Sequence, residues 1–299
     1  MTSRPTPSAN DRITPAPQPA ERKRSPMTAT QPASLPTARA HDEDIVTIVG
    51  GTGALGHGLA TRWAHAGVTV RIGSRRADAA QATARELPGA IGGENTAMIE
   101  GATMVVIAVP FSAHVETVRS IARIIRPGQL LIDTTAPLLP AGRRGLRPIT
   151  PWAGSAAEQA QDLLPDGVTV VSALQTISAA TLQDTKRRLD EDVLICGDRP
   201  ADKAQAAALI DRIPGLRAVD CGPLDMSGIC ERITALLIGV NRRYKTHTGI
   251  RLTGLSTPLA HSGFSRPALA KLTRSRGARG TVLAGDVAEE VRECRRAQA

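Results

Sequence analysis

The sequence predicts an α/β fold, a doubly wound parallel sheet followed by a small C-terminal α/β domain. Two observations predict it. Short aliphatic runs recur along the chain and alternate with segments of helical periodicity, which is the pattern of parallel strands connected by helices. A glycine-rich segment directly follows the first of these runs. Because crossovers between parallel strands are right-handed, such an alternation places helices on both faces of one sheet.

Composition excludes several classes of protein. The chain has 299 residues, 41% of them hydrophobic, which is enough to form a core without disulfides or a structural metal. Only 2% of the residues are aromatic, which argues against recognition of single-stranded nucleic acid by stacking. The four cysteines show neither C-x-x-C nor zinc spacing, so we predict reduced thiols, no metal site and a cytoplasmic protein. The sequence has no membrane-spanning apolar run and no signal-peptide pattern, so no membrane partner is predicted.

The two ends of the chain differ from its centre. The first tail is rich in proline and the last in serine, glycine and arginine, and together they hold most of the net charge of +9. Basic tails are usually solvated, so we predict disorder at both ends and no nucleic-acid partner. The predicted organisation is a Pro-rich tail at 1–43, a dinucleotide-binding domain at 44–172, a small C-terminal domain at 173–255 and a basic tail at 256–299.

Each element of the sheet has its own sequence signal. Continuous aliphatic runs indicate strands buried on both faces, at Ile45–Val49, Val68–Ile72, Thr103–Val109, Gln129–Asp133 and Val168–Leu174. Helical periodicity predicts helices over Gly58–His65, Val115–Ile125, Ser155–Leu164 and Met226–Tyr244. Ligands bind at the carboxyl ends of such strands. We therefore expect residues 109–111, 134–135 and 173–176 to line a cleft.

The segment after the first strand contains Gly51-Thr52-Gly53-Ala54-Leu55-Gly56. Strand, Gly-x-Gly-x-x-Gly, helix and strand follow one another here, which is the dinucleotide fingerprint of a Rossmann-type domain. Gly51 permits the tight turn, Gly53 lets the backbone approach a pyrophosphate, and Gly56 lets the helix pack closely on the strand. The N-terminus of the helix then presents free N–H groups to the phosphates.

The end of the second strand selects the nicotinamide cofactor. An NAD enzyme places Asp or Glu there to bind the ribose 2′-hydroxyl, whereas this chain has Gly73-Ser74-Arg75-Arg76. A hydroxyl and a guanidinium bind a 2′-phosphate that a carboxylate would repel. We therefore predict NADP(H). The alternative is that both arginines only cover the start of a solvated helix.

Groups for acid–base catalysis are missing from the predicted cleft. The single tyrosine, Tyr244, is followed four residues later by Thr248, so the Tyr-x-x-x-Lys pair of short-chain dehydrogenases is absent. His114 is interpreted as a helix-surface or capping residue, and no His/Asp pair is recognised at a predicted strand end. We therefore predict no catalytic acid or base. Direct hydride transfer between two bound redox carriers fits this absence, because it requires only orientation and exclusion of water.

Several short sequence segments match the pattern of one protein family in their order and spacing. They are Gly50-Gly51-Thr52-Gly53-x-Leu55-Gly56-x-Gly58-Leu59-Ala60, Gly73-Ser74-Arg75-Arg76, Val171-Ser172-Ala173-Leu174-x-Thr176-Ile177, Val193-x-x-Cys196-Gly197-Asp198, Gly215-Leu216-Arg217, Asp220-x-Gly222-Pro223-Leu224 and Glu231-x-x-Thr234. On these strings the chain resembles the NADPH-dependent reductases of the deazaflavin coenzyme F420, the F420:NADP oxidoreductases. The resemblance covers about Ile45 to Leu255 and implies hydride transfer between NADPH and F420 as co-substrate.

The resemblance also implies site residues and a homodimer. The implied NADP(H) contacts are Gly51, Thr52, Gly53, Ala54, Leu55, Gly56, Ser74, Arg75, Val109, Pro110 and Ala179. The implied deazaflavin contacts are Gln175, Thr176, Ile177, Arg232 and Thr234. The chain departs from the family pattern at four positions, with Gln175 in place of His, Gly228 in place of Arg, Arg232 in place of Ser and Ala79 in place of Lys. Arg232 lies one helical turn after Gly228, and we predict that its guanidinium takes the place of the arginine that the family has at position 228.

Two other functions stay open, the first because of these departures and the second because catalytic groups are missing and both tails are long. The first is an NADPH-dependent reductase of a small biosynthetic imine or enone. The second is a non-catalytic NADP(H) sensor. The imine or enone reductase predicts NADPH consumption without a deazaflavin, whereas the sensor predicts binding without turnover.

Overall fold

The computed structural model describes residues 44–142 and 145–255. The predicted tails at 1–43 and 256–299 lie outside the described residues. The described residues fall within one compact unit. The division predicted between residues 172 and 173 lies inside this unit, at the end of a strand, and stays a prediction.

The described chain alternates strands and helices. The strands are β1 (Ile45–Val49), β2 (Thr69–Ser74), β3 (Ile91–Glu94), β4 (Met104–Ile107), β5 (Leu130–Asp133), β6 (Leu138–Pro140), β7 (Leu146–Pro148), β8 (Thr169–Ser172), β9 (Glu191–Ile195) and β10 (Leu216–Asp220). The helices are α1 (Ala54–His65), α2 (Ala77–Arg85), α3 (Asn95–Ile99), α4 (Phe111–Ile121), α5 (Ala156–Leu163), α6 (Ala179–Gln183), α7 (Pro200–Ile210) and α8 (Ser227–Tyr244). The elements predicted from periodicity are all present, with shifted ends.

Among the described residues, six parallel strands form one sheet in the order β3-β2-β1-β4-β5-β8. The order reverses between β1 and β4, which start the two halves of a Rossmann-type sheet. The doubly wound fold is therefore confirmed. Because all six strands run in one direction, their carboxyl ends meet at the same edge, where the glycine segment also lies.

Two apolar layers cover the sheet. Alternate strand residues such as Ile48 and Ile132 pack with Leu59 and Trp63 of α1 on one face. The other set, which includes Ile107 and Leu131, packs with α4 and α5 on the opposite face. Successive strand side chains point to opposite faces, so continuous aliphatic runs are what such a double-faced core requires.

A smaller α/β portion follows β8. Strands β9 and β10 pair in parallel around α7, and an antiparallel bridge between Ser172 and Cys196 joins them to the end of β8. The indole of Trp63 on α1 donates to the carbonyl of Leu209 on α7, at 3.0 Å. Helix α8 follows β10, and the described chain continues after it to residue 255. No helix in residues 44–142 or 145–255 has the length and hydropathy of a membrane span.

Candidate functional site

The glycine segment forms a tight turn between β1 and α1. The N–H of Gly53 donates to the carbonyl of Gly50 at 2.9 Å, and that of Gly51 donates to Gly73 at 2.9 Å. A Cβ atom on Gly56 would lie 2.5 Å from the carbonyl oxygen of Gly50. Side chains are therefore excluded where helix meets strand, and a phosphate can approach the exposed backbone of residues 52–54. This turn fits the pyrophosphate of a dinucleotide.

Polar groups follow the turn at the end of β2. Ser74 is buried, and its hydroxyl accepts from the hydroxyl of Thr52 at 3.3 Å and from the N–H of Arg76 at 3.3 Å. Arg75 is exposed beside it. A hydroxyl and a guanidinium thus occupy the position where a carboxylate would select NAD, which fits a 2′-phosphate.

Two predicted nicotinamide contacts lie next to the same turn. A Cβ atom on Gly50 would lie 2.8 Å from Cγ1 of Val109, so Val109 packs directly against the turn. Pro110 is exposed and occupies the N-cap position of α4. The strand end of β4 and the glycine turn therefore form adjacent walls at the carboxyl edge of the sheet.

A cavity of about 560 Å³ lies beside α8. Its lining residues are Gln175, Thr176, Ile177, Ser178, Ala179, Ala180, Thr234, Leu237, Ile238, Asn241, Arg242, Lys245, Thr246, His247 and Thr248. Leu174, just before this lining, adopts a left-handed conformation with a φ of 68°. Such conformations are costly for a branched residue and concentrate at functional sites. The strained turn directs the chain from the end of β8 into the cavity wall.

Gln175 has an unusual environment in this wall. It is 5% exposed, and its Oε1 atom is buried without a hydrogen-bond partner. Its Nε2 atom donates to the hydroxyl of Ser172 at 3.4 Å, and its main-chain carbonyl accepts from the hydroxyl of Thr234 at 3.0 Å. Buried acceptors without partners are rare in proteins. The amide oxygen is therefore a candidate acceptor for a ligand in the cavity.

Helix α6 connects this cavity wall to the dinucleotide turn. Gln183 donates to the carbonyl of Ala54 at 2.9 Å, and a Cβ atom on Gly58 would lie 2.7 Å from Cβ of Leu182. The guanidinium of Arg62 on α1 donates to the carbonyls of Thr181 and Leu182, at 3.1 Å and 2.9 Å. The two candidate binding regions are thus held in a fixed relation by direct packing.

The structure corrects the interpretation of His114. This residue is fully buried rather than at the helix surface, and its Nε2 atom lies 2.6 Å from Oδ2 of Asp133 at the end of β5. Gln159 donates to the other ring nitrogen at 3.2 Å, and Oδ1 of Asp133 accepts from the N–H of Thr135 at 2.8 Å. The prediction that no His/Asp pair occurs at a strand end is therefore wrong. The pair ties the first turn of α4 to β5.

Glu231 belongs to one of the family motifs, and in the structure its carboxylate binds the N-terminus of α5. Its carboxylate is 2% exposed and accepts from the N–H groups of Ala156, at 3.0 Å, and Ala157, at 3.2 Å, at the start of α5. A carboxylate satisfies the free N–H groups of a helix N-terminus. Burial, together with the negative charge of Asp133, raises the pKa of Glu231 to about 8 in spite of these bonds.

The raised pKa predicts a pH-dependent stability. The folded protein favours protonated Glu231, so the stability this group contributes is complete below its ordinary pKa of 4.5 and is lost as pH rises through about 8. Relative to Glu231→Gln, the wild type should lose free energy of unfolding over this interval. Urea unfolding across the interval measures the difference. Glu116→Gln, at an exposed position on α4, is the control, and a pH-independent difference for Glu231 would contradict the prediction.

The predicted site residues divide into three groups. Gly51, Thr52, Gly53, Ala54, Leu55, Gly56, Ser74 and Arg75 lie at the glycine turn and the adjoining end of β2, next to Val109 and Pro110. Gln175, Thr176, Ile177, Ala179 and Thr234 line the cavity. Arg232 lies apart from both, since it is exposed and donates to the hydroxyl of Thr150 at 2.7 Å. Its proposed role as a substitute for a family arginine stays a prediction. In the described residues no group of His, Cys, Asp and Glu has the geometry of a metal site.

Comparisons with known proteins converge on one family. The family described as "NADP oxidoreductase coenzyme F420-dependent" matches residues 45–137. An F420-dependent NADP reductase of Methanothermobacter thermautotrophicus is 39% identical over 222 residues, which cover 70% of this chain and 95% of the relative. That of Methanocaldococcus jannaschii is 35% identical and covers 70% and 98%. A crystal structure from Arthrobacter sp. fb24, described as a candidate F420-dependent NADP reductase, has a TM-score of 0.61 at 24% identity, covers 70% of this chain and 100% of its own, and supports the fold.

Proposed function

Because the chain belongs to the coenzyme F420-dependent NADP reductase family, we propose that it transfers a hydride between NADPH and the deazaflavin coenzyme F420. The observation that carries the proposal is the cavity wall with the unpartnered amide oxygen of Gln175, tied through α6 to the dinucleotide turn. When bound, the two carriers supply the redox chemistry themselves. The chain contributes orientation and exclusion of water.

The dinucleotide turn would hold NADP(H). Backbone N–H groups of the first turn of α1, which begins at Ala54, would bind the pyrophosphate. Ser74 and Arg75 would bind the 2′-phosphate, and Val109, Pro110 and Ala179 would contact the nicotinamide. This assignment is supported by the close approach of Val109 to the turn and by the exposed arginine at the end of β2.

The cavity beside α8 would hold the deazaflavin. Gln175, Thr176, Ile177 and Thr234 form its inner wall. The bond from the Thr234 hydroxyl fixes the carbonyl of Gln175, so the backbone at this position is set before a ligand binds. The amide of Gln175 both donates and accepts but carries no charge, so it would position the ring without transferring a proton.

The direct test is a spectroscopic assay. Purified protein is mixed with NADPH and oxidised F420, and the visible absorbance of the deazaflavin is followed, with FMN and riboflavin as parallel acceptors. Bleaching of the deazaflavin alone is expected. NADPH oxidation that depends on a small imine or enone instead would indicate the other reductase activity. NADPH binding without turnover of any acceptor would indicate a sensor.

Gln175→His is expected to increase kcat/KM for F420. The side chain is buried in the cavity wall, and histidine is the residue that the family resemblance implies at this position. The rate of deazaflavin reduction at saturating NADPH measures the effect. Gln81→His, at an exposed position on α2, is the control. Unchanged affinity and rate in Gln175→His would remove Gln175 from the site.

We propose that the protein is a homodimer that buries one face of α8. Ile229 and Leu236 are 57% and 65% exposed, and the half-buried Val240 follows Leu236 by one turn on the same helical face. An apolar stripe of this kind on a helix favours packing against a second helix. The opposite face of α8 packs on the chain through Cys230 and Glu231, so only the outer face is left for a second copy.

Leu236→Glu is expected to convert such a dimer to monomer, because it places a charge in the centre of the apolar stripe. Sedimentation equilibrium at several protein concentrations measures the mass. Arg243→Gln, also exposed on α8, is the control for a surface change on the same helix. A wild-type mass of one chain at all concentrations would contradict the dimer.

A cytoplasmic location is also proposed, and the cysteines support it. The Sγ atoms of Cys196 and Cys230 lie 3.6 Å apart as free thiols. Burial and hydrogen bonding between the thiols raise the pKa of Cys230 to about 12, with the bond to Cys196 as the largest cause. Free thiols at this distance persist most readily in a reducing compartment. Cell fractionation tests the location.

A further inference from the structure

Three cysteines form one cluster at the carboxyl ends of β9 and β10. Cys196 and Cys221 directly follow the paired residues Ile195 and Asp220, so they lie side by side across the two strands. Cys230 in α8 packs against both. Its Sγ atom lies 3.6 Å from that of Cys196, and its thiol shares a hydrogen bond with that of Cys221. The three thiols are thus in mutual contact in a place that neither candidate binding site uses.

The three thiols differ in their access to solvent. Cys196 is fully buried and Cys230 is 4% exposed, whereas Cys221 is partly exposed. The main chain of Cys196 is also fixed, because its carbonyl accepts from the N–H of Ser172 at 2.9 Å and its N–H donates to the carbonyl of Ser172 at 3.0 Å. Within the cluster, Cys221 is therefore the thiol that a reagent from solvent meets first, and Cys230 is the thiol in contact with it.

The environment of the cluster keeps its thiols protonated. The hydrogen bond with Cys230, together with burial, raises the pKa of Cys221 well above its usual range. The hydrogen bond with Cys196, together with burial, raises the pKa of Cys230 to about 12. Because the thiolate is the nucleophile in disulfide exchange, exchange at this cluster is slow near neutral pH. The free thiols therefore persist until a disulfide is present in excess.

We propose that Cys221 and Cys230 are an oxidation site for small organic disulfides, at which a disulfide bond joins the end of β10 to α8. In the first step, deprotonated Cys221 attacks one sulfur of the reagent, whose S–S bond breaks and releases one small thiol. Deprotonated Cys230 then attacks the sulfur of Cys221 and releases the second small thiol. Two protein thiols are oxidised, the reagent is reduced to two thiols, and these take up the two protons.

The second step needs no access to solvent, because Cys230 is already in contact with Cys221. A disulfide requires the two sulfur atoms to approach to about 2.05 Å, which is a short distance from hydrogen-bond contact. A thiol held in this way reacts as though it were present at very high concentration, so the mixed disulfide on Cys221 should be short-lived. The bond would restrain the first half of α8, where Glu231 binds the N-terminus of α5.

Peptide mapping tests the site in the full-length protein. The reduced protein is incubated with excess 2-hydroxyethyl disulfide at mildly alkaline pH, unfolded in urea, alkylated with iodoacetamide and digested with trypsin. Residues 218–232 form one tryptic peptide that contains both Cys221 and Cys230, whereas Cys196 lies in the peptide 189–203. Cys294, outside the described residues, falls in a third peptide. We expect peptide 218–232 to escape alkylation at both cysteines, without a link to another peptide, and Cys196 to be alkylated.

Two variants separate the roles of the thiols. Cys230→Ala removes the second nucleophile, so the mixed disulfide on Cys221 should accumulate about tenfold or more above its level in the wild type. Cys196→Ala is the matched control, because it removes the third thiol of the cluster and should leave the bond between Cys221 and Cys230 intact. Dithiothreitol added before alkylation should restore alkylation of both cysteines in the wild type.

Three results would overturn the proposal. The first is a link between peptides 189–203 and 218–232, which would show that Cys196 is the partner of Cys230. The second is full alkylation of Cys221 and Cys230 after a treatment that oxidises the same protein when it is unfolded in urea. The third is equal accumulation of the mixed disulfide in the wild type and Cys230→Ala. None of these measurements involves NADPH or a deazaflavin, so they are independent of the proposed hydride transfer.

Discussion

Asp133→Ala is expected to lower the free energy of unfolding by about 2 to 6 kcal/mol, because it leaves two buried donors unsatisfied at roughly 1 to 3 kcal/mol each. Both Asp133 and His114 are at most 1% exposed, so water cannot replace the lost acceptor. The substitution leaves the Nε2 atom of His114 and the N–H of Thr135 without their partner. Each buried donor left unsatisfied carries its own desolvation cost.

The effect of Asp133→Ala should extend to Val109 and Pro110, the proposed nicotinamide contacts. His114 lies in the first turn of α4, which begins directly after Val109 and Pro110. Loss of its bond to β5 removes the side-chain anchor of this end of the helix. We therefore expect Asp133→Ala to raise KM for NADPH as well as to reduce stability.

Urea unfolding monitored by circular dichroism measures the loss of stability. Asp162→Ala on α5 is the matched control, because Asp162 is exposed and such substitutions change stability by roughly 0.5 kcal/mol or less. A double-mutant cycle with His114→Ala isolates the pair. Equal losses in Asp133→Ala and Asp162→Ala would show that the pair does not stabilise the fold.

The doubly wound sheet could be predicted because its strands are buried on both faces. Strands β1, β4 and β5 consist almost entirely of apolar residues. Short continuous apolar runs of this length are typical of strands that are buried on both faces of a parallel sheet. Strands β9 and β10 were not predicted, because acidic and basic residues interrupt them. Asp192 in β9 is nevertheless fully buried, since the guanidinium of Arg217 in β10 donates to its carboxylate at 2.7 Å and 2.6 Å.

The dinucleotide turn could also be predicted, since its residues are contiguous. The groups around His114 could not be predicted in the same way. Asp133 lies 19 residues further along the chain, and only the packing of α4 on the sheet brings the two together. One signal was available, because Asp133 ends an otherwise aliphatic strand. A polar residue in such a position needs a buried partner.

The cavity beside α8 could not be predicted from the sequence for the same reason. Its two walls come from residues 175–180 and from the C-terminal half of α8, which are far apart in sequence. The motif that ends in Thr176 and Ile177 marked one wall, and Thr234 marked the other. The basic residues at the end of α8 carried no motif. Only the folded chain brings them to the same cavity as Gln175.

Arg75→Ala is expected to raise KM for NADPH by about 10- to 100-fold, because a hydrogen bond to a charged group contributes roughly 1.5 to 3 kcal/mol. KM for NADH should change little, since NADH has no 2′-phosphate. The guanidinium is exposed at the end of β2, beside the hydroxyl of Ser74, where it can reach a phosphate bound at the glycine turn. Preference for NADPH over NADH should fall by the same factor as the affinity for NADPH.

Steady-state rates with each nicotinamide, at a fixed concentration of F420, measure this change in preference. Arg85→Ala is the matched control, because Arg85 is an exposed arginine at the far end of α2 from the glycine turn. Removal of a distant positive charge lowers the general attraction of the surface for both nucleotides, and salt screens that contribution. A specific bond to the 2′-phosphate instead acts on NADPH alone. Equal losses for NADPH and NADH in Arg75→Ala would therefore show that the arginine only covers the start of α2.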